Sequence, residues 1–386
     1  MPSAPPAPNL LVVAIDRLPA WILPAYGATW VAMPTVTAWA ARGVVCDRLI
    51  ALGSDASQTL GHLLGPLAAR LPTAIVTDDA ALAADVLGGE AAMQRVPLRL
   101  GRVAGSAGDT NLARLCAAAA ETIAAGGHRL VVVHATSLGQ SWDAPDEFRE
   151  TYLAPDDPPP PAGAAVPDFV ATSDTDPDLL VGLRHVFAGQ VTLLDRCLAA
   201  LGDLSGWTRL VCGVRGLGLG LHGRIGPGPM PPYGELVHLP AILVDAAGRM
   251  AGQRFGGLVT PADLAGLLVT AAGVPAAVPG EPAGLHGAPG VAELFERWPT
   301  AGRDRIVTVT PTGVAVTTAG WQAVVPTGEP LRLYVKPDDY FEVSDVADRC
   351  PDVTAELGRL AAAAAAGDTE TAWTAPLSEA AALGMA

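Results

Sequence analysis

Lysine is almost missing from this chain of 386 residues: Lys336 is the only one, and arginine supplies the rest of the 24 basic side chains against 39 acidic ones. The net charge of −15 leaves no basic stripe to track a phosphate backbone, which argues against nucleic acid as a partner and equally against anionic membrane surfaces. Long apolar runs are also missing. The one early run, Leu10 to Ile15, is too short for a signal core or a membrane span and has no basic flank, so a cytoplasmic, membrane-free protein is expected. Cysteine is sparse: Cys46, Cys116, Cys197, Cys212 and Cys350 are odd in number and never in CxxC spacing, which excludes a disulfide or thiolate-metal framework and leaves them as reduced, mostly buried small side chains. No HxxxH pair and no internal repeat occurs. With half the residues hydrophobic and 16% charged, the chain reads as globular, long enough for one large domain or a large domain with a small companion.

Continuous apolar runs alternate with Ala/Leu-rich helical stretches. Strands are expected at Leu10–Ile15, Thr73–Thr77, Arg129–His134, Thr208–Gly213 and Ala241–Val244, in the manner of strands buried on both faces of a mostly parallel sheet. Helices are expected over Met33–Arg42, Asn111–Ala125 and Leu179–Leu201. Another begins at Thr260-Pro261-Ala262-Asp263, where Thr can cap, Pro suits the first turn and Asp stands three residues on. A Pro/Asp-rich stretch, 154–178, with four consecutive prolines at 158–161, reads as an extended loop or a disordered insert. A second Pro/Gly-rich stretch at 275–290 divides the α/β part from a small antiparallel meander of Arg305–Thr310, Gly313–Thr318, Trp321–Pro326 and Leu331–Val335. A helix near Val353–Ala366 then gives way to a frayed Ala-rich tail. The expected organisation is a disordered tail (1–8), an α/β domain (9–290), a small subdomain (291–366) and a tail (367–386).

Asp16-Arg17 closes the first strand. The segment from Asn9 to Val44, with Asp16-Arg17-Leu18, Ala25-Tyr26-Gly27, Met33-Pro34-Thr35-Val36 and Ala40-Ala41-Arg42-Gly43-Val44, resembles the opening of the sulfatase family within the alkaline phosphatase superfamily. The likeness continues through Trp142-Asp143-Ala144-Pro145-Asp146-Glu147-Phe148, Phe187-Ala188-Gly189-Gln190 with Leu194-Asp195, Leu219-Gly220-Leu221-His222-Gly223, Tyr233-Gly234-Glu235 with Leu239-Pro240, and the end from Leu333-Tyr334 to Ala355-Glu356-Leu357, over residues 9–360. The resemblance implies an alkaline phosphatase-like α/β fold: a large mostly parallel sheet with helices on both faces, then a small C-terminal antiparallel sheet and helix.

It also implies a site, and here the sequence departs from the family. Ester hydrolysis of this kind needs a divalent ion, a positioned oxygen nucleophile and groups that stabilise the departing oxygen. The family's first metal aspartate corresponds to Asp16, but the second falls on Arg17. The nucleophile position falls at Ser54, within Ser54-Asp55-Ala56-Ser57-Gln58, and Gln58 stands where the motif has Arg. The family's Asp-Pro-His falls on Ser137-Leu138-Gly139, and its Asp-His or Asp-Asn ligand pair falls on Val214-Arg215. The bland readings are a Ser-rich turn capping the helix that holds His62, Asp78-Asp79 as a helix N-cap, and His134 as a structural histidine. His222 and His238 lie in loops beside the implied site.

Three readings follow. In the first, metal-dependent sulfuric ester hydrolysis has been lost; Arg17 or Arg215 occupies the old cation position and pairs with Asp16, a residual metal-ligand position, while the two guanidinium groups hold a small anion. No cofactor is then expected. In the second, an active sulfate or phosphate ester hydrolase uses a rearranged site, with Asp16, Asp55, Ser54 or Ser57 as nucleophile, His222, and a divalent cation such as Ca or Mg. In the third, the chain is a binding or scaffolding module. The oligomeric state is not legible.

Overall fold

The computed structural model describes residues 8–88, 91–274 and 303–383. The expected divider at 275–290 and the boundary at 290/291 lie outside the described residues.

The large sheet is built from β1 (Asn9–Ile15), β2 (Val44–Ile50), β3 (Thr73–Thr77), β4 (Ala92–Arg95), β5 (Leu130–Ala135), β7 (Trp207–Gly213), β10 (His238–Leu239), β11 (Ala241–Val244) and β12 (Gln253–Val259). A three-stranded sheet is formed by β6 (Phe169–Val170), β8 (Gly218–Leu219) and β9 (Arg224–Gly226). The C-terminal meander is β13 (Arg305–Thr310), β14 (Gly313–Thr318), β15 (Trp321–Pro326) and β16 (Arg332–Val335). In the large sheet the order is β10-β2-β11-β7-β1-β5-β3-β4, with β12 also pairing β2. β1 lies parallel between β5 and β7, whereas β10 and β11 run antiparallel to β2. The expected mostly parallel α/β architecture with a separate antiparallel C-terminal sheet is therefore present.

β1 shows how sequence produces the layers. Successive side chains of a strand point to opposite faces. Leu11, Val13 and Ile15 enter one core with helices Pro34–Arg42, Asn111–Ala125 and Pro177–Ala199. Leu10, Val12 and Ala14 enter the other with helices Ala56–Ala68 and Pro261–Ala271. Apolar residues at every position are what a strand covered on both faces requires.

Several residues that carried the family resemblance turn out to satisfy backbone groups. Asp195 accepts the N–H groups of Thr35 and Val36 at 3.0 and 2.8 Å, holding the start of helix Pro34–Arg42. The Tyr26 hydroxyl lies 2.9 Å from the Cys46 carbonyl and accepts from the Ala241 N–H at 2.7 Å, joining β2 to β11. Gln190 accepts from Ala144 N–H, and the Trp142 indole donates to the Leu138 carbonyl. Glu235 accepts from Leu219 and Leu221 N–H, fixing the loop that carries His222.

Three expectations need correction. Asp55, not a serine, caps helix Ala56–Ala68, accepting from Ser57 N–H at 3.0 Å. Of the Asp78-Asp79 pair only Asp79 caps a helix; Asp78 receives both the N–H and hydroxyl of Thr136 at 2.8 Å, organising the turn after β5. The tail is not simply frayed: short helices Thr369–Thr374 and Glu379–Leu383 bury Ala372 and Ala381 against the C-terminal core. The 154–178 stretch packs against the domain: it holds the short strand β6 and runs into helix Pro177–Ala199, with Ala164 fully buried and its carbonyl accepting from Trp142 N–H. The Thr260–Asp263 capping box forms as expected.

Candidate functional site

Parallel strands of an open α/β sheet present their carboxyl ends to one side, where the loops after each strand converge. Asp16 follows β1, Arg215 lies two residues beyond β7, and Ser54 follows β2. The structure brings all three together. Asp16 is 2% exposed and receives a bidentate guanidinium: Arg215 Nε donates to Oδ1 at 2.9 Å and Nη2 to Oδ2 at 2.5 Å. The remaining Arg215 nitrogen, Nη1, reaches the Ser54 carbonyl at 3.5 Å. Burial lowers the affinity of Arg215 for its proton, but the Asp16 bond and charge, with Asp55 and Asp79, leave its pKa raised above the ordinary value.

Arg17 stands beside the same carboxylate without bonding to it closely, its Nε 3.9 Å from Asp16 Oδ2 and its Nη1 donating to the Gly216 carbonyl at 3.3 Å. Its backbone has φ of 63°, a left-handed conformation that costs a β-carbon-bearing residue about 1–2 kcal/mol. That turn sends the side chain toward the segment after β5. A Cβ on Gly139 would lie 2.6 Å from Arg17 Cγ, so the missing side chain at 139 is what admits the arginine. Burial pulls the Arg17 pKa down to about 10, opposed by Asp16 and reinforced by Arg215, and the group stays charged at neutral pH.

The other candidates are less closely engaged. Ser57 Oγ donates to Asp55 Oδ2 at 2.8 Å within the helix cap. His134 is fully buried, with Nδ1 2.9 Å from Thr77 Oγ1 and Nε2 without a hydrogen-bond partner among the described residues; burial lowers its pKa and keeps it neutral. His222 joins a different cluster. Its ring stacks on Tyr233 at 3.8 Å, with Nδ1 3.6 Å from Glu235 Oε2 and Nε2 3.7 Å from Glu342 Oε2. Among the described residues no hydrogen bond or ion pair joins His222 to Asp16, Ser54 or Ser57. Sequence reasoning missed Glu342, which accepts from Gly234 N–H and pairs with Lys336 at 3.1 Å. The lone lysine was its only signal.

No protein-family model matches this sequence, and no curated protein matches it. Solved structures do. The phosphonate monoester hydrolase of Agrobacterium radiobacter aligns over 96% of this chain and 98% of its own, with 15% identity and a TM-score of 0.71. The phosphonate monoester hydrolase of Silicibacter pomeroyi aligns over 95% and 96%, with 16% identity and a TM-score of 0.68. A 2-O GAG sulfatase aligns over 95% and 92%, with 15% identity and a TM-score of 0.64. The fold is that of the sulfatases and phosphonate monoester hydrolases. At these identities the likeness establishes architecture, and chemistry must be argued from the residues present.

A sulfatase-fold site that holds a divalent ion needs converging oxygen or imidazole ligands. Here the one carboxylate at the end of β1 has both oxygens engaged by Arg215, and a second guanidinium lies within 4 Å. Val214, at the other implied ligand position, is fully buried and apolar. Among the described residues no group of three or more His, Cys, Asp or Glu side chains is arranged to hold a metal. This donor set, one carboxylate paired with a guanidinium, does not fit a divalent cation.

Proposed function

We propose that this chain is a sulfatase-fold protein without metal-dependent sulfuric ester hydrolysis, in which a guanidinium substitutes for the divalent ion at Asp16 and the site serves as a small-anion-binding module. The observation that carries the reading is the bidentate Arg215–Asp16 pair, which places a fixed positive charge against the carboxylate. A cation entering there would have to displace a paired, mostly buried guanidinium and then sit beside Arg17. The accommodation of Arg17 by Gly139 supports the same reading, because two substituted positions fit each other sterically rather than failing separately.

Arg17 and Arg215 set two guanidinium groups against the Asp16 carboxylate, with Asp55, Asp79 and Asp168 acting on them from farther off. Arg17, with one close acceptor among the described residues, retains donors for a tetrahedral oxyanion or carboxylate. Calorimetric titration of metal-free protein with sulfate and phosphate tests this: binding that is lost in Arg17→Ala supports the reading, and no measurable heat removes its anion-binding half. Nitrophenyl sulfate, phosphate and phosphonate esters test the other half. The reading expects no turnover with or without added Ca²⁺ or Mg²⁺; turnover abolished by Asp16→Ala and by Ser54→Ala would overturn it.

A further inference from the structure

A cleft of about 510 Å³ opens between the edge of the large sheet and the C-terminal meander, away from the Asp16 site, none of whose residues line it. Its volume falls within the about 300–1,000 Å³ typical of small-molecule sites, which favour junctions between structural units. The α/β side contributes Tyr26, Ile50 and Val237, and the C-terminal side contributes Pro337 and Tyr340, so the wall is largely apolar.

Its charges are unbalanced. Asp47 is taken by Arg254, with 2.5 Å between Oδ1 and Nη2, and Glu342 is taken by Lys336. Arg48 also lines the cleft and has no carboxylate partner among the described residues. It donates instead to carbonyls: Nε and Nη2 to Gly256 at 3.0 and 2.6 Å, and Nη1 to Ala319 at 2.7 Å and Thr318 at 3.4 Å. A guanidinium carries five N–H groups, so one on Nη2 stays unassigned. Burial lowers the Arg48 pKa, as expected for a desolvated cation only partly compensated by nearby Asp47. His238, in the same wall, adds no charge at neutral pH.

We propose that this cleft binds a ring-containing organic anion, with its apolar body against the Tyr26, Ile50, Val237 and Tyr340 wall and its single negative charge directed to Arg48. An apolar molecule gains by covering that wall, and a negative end supplies the counter-charge that Arg48 lacks. In a chain of net charge −15, a cation-rich apolar cleft also discriminates against neutral ligands of the same shape.

Gly256 makes the proposal testable. It lines the cleft, and a Cβ built on it meets none of the described residues within 4 Å, so a large side chain can enter the cavity without a clash at its root. The probes are anilinonaphthalene sulfonate and its uncharged analogue phenylnaphthylamine, followed by fluorescence on the full-length protein. The expected result is saturable binding of one equivalent of the sulfonate, binding of the neutral probe weaker by about tenfold, and loss of both in Gly256→Phe with the melting temperature kept. Should Gly256→Phe fold poorly, Gly256→Leu gives the same test with a smaller plug. Absence of saturable binding, equal affinity for the two probes, or sulfonate binding unchanged by a folded Gly256 variant would each overturn the proposal. Because the Asp16 site keeps all its residues in these variants, the outcome is independent of the function proposed above.

Discussion

Replacing Arg215 by alanine strands Asp16 in a pocket where it is 2% exposed. At 2.5 to 2.9 Å the pair's gross attraction is about 6–7 kcal/mol for an effective dielectric near 20, most of it offset by the desolvation of both ions. Removing one partner of a buried pair exposes the uncompensated cost, about 3–5 kcal/mol in general. Two features soften it here. The Arg215 side chain is 23% exposed, and Arg17 lies 3.9 Å from the orphaned carboxylate and can close on it. We therefore expect Arg215→Ala to lower stability by about 2–4 kcal/mol, Asp16→Asn by about 1–2 kcal/mol, and the double variant to lose less than the sum by about 2 kcal/mol. Urea unfolding with unchanged m-values supplies the three differences. A coupling below about 0.5 kcal/mol would class the pair with exposed ion pairs and refute the argument that a guanidinium neutralises Asp16.

Gly139→Ala should cost about 1–3 kcal/mol through collision with the Arg17 side chain, and the cost should shrink in an Arg17→Ala background, read by the same unfolding series. His238, whose Nε2 lies 2.7 Å from the Asp47 carbonyl, is pushed by burial from 6.5 down to about 4. Its lowered folded pKa means that the unfolded chain binds more protons in that interval: the contribution is fully present above pH 6.5 and is lost as pH falls toward 4. At most about 3 kcal/mol is involved, and the pH-dependent loss should be smaller in His238→Gln.

Much of the fold was legible because β1, β3, β5, β7 and β11 are apolar on both faces, the pattern that buried strands require. β2 escaped because Asp47 and Arg48 interrupt its apolar run; those residues face the cleft under the meander. β12 escaped because paired glycines and a register shift after Phe255 disguise it. β4 is exposed along its length and carries no burial signal. At the site, Asp16, Ser54 and Arg215 could be grouped because the family resemblance puts all three at implied site positions, and Asp16 and Arg215 also follow strands that were legible. Which arginine pairs with Asp16 could not be read, since the outcome depends on the left-handed backbone at Arg17 and the space at Gly139. The placement of His222 against Tyr233, Glu235 and Glu342 depends on a residue 120 positions away and left no local pattern.

The central claim is that Arg215, and not a divalent ion, balances the charge of Asp16. Elemental analysis of the purified protein, repeated after equilibration with Ca²⁺ and Mg²⁺ and removal of free ion, tests it most directly. The account predicts substoichiometric metal that is the same in wild type and Asp16→Asn. One equivalent of a divalent ion in the wild type, absent from Asp16→Asn, would contradict it.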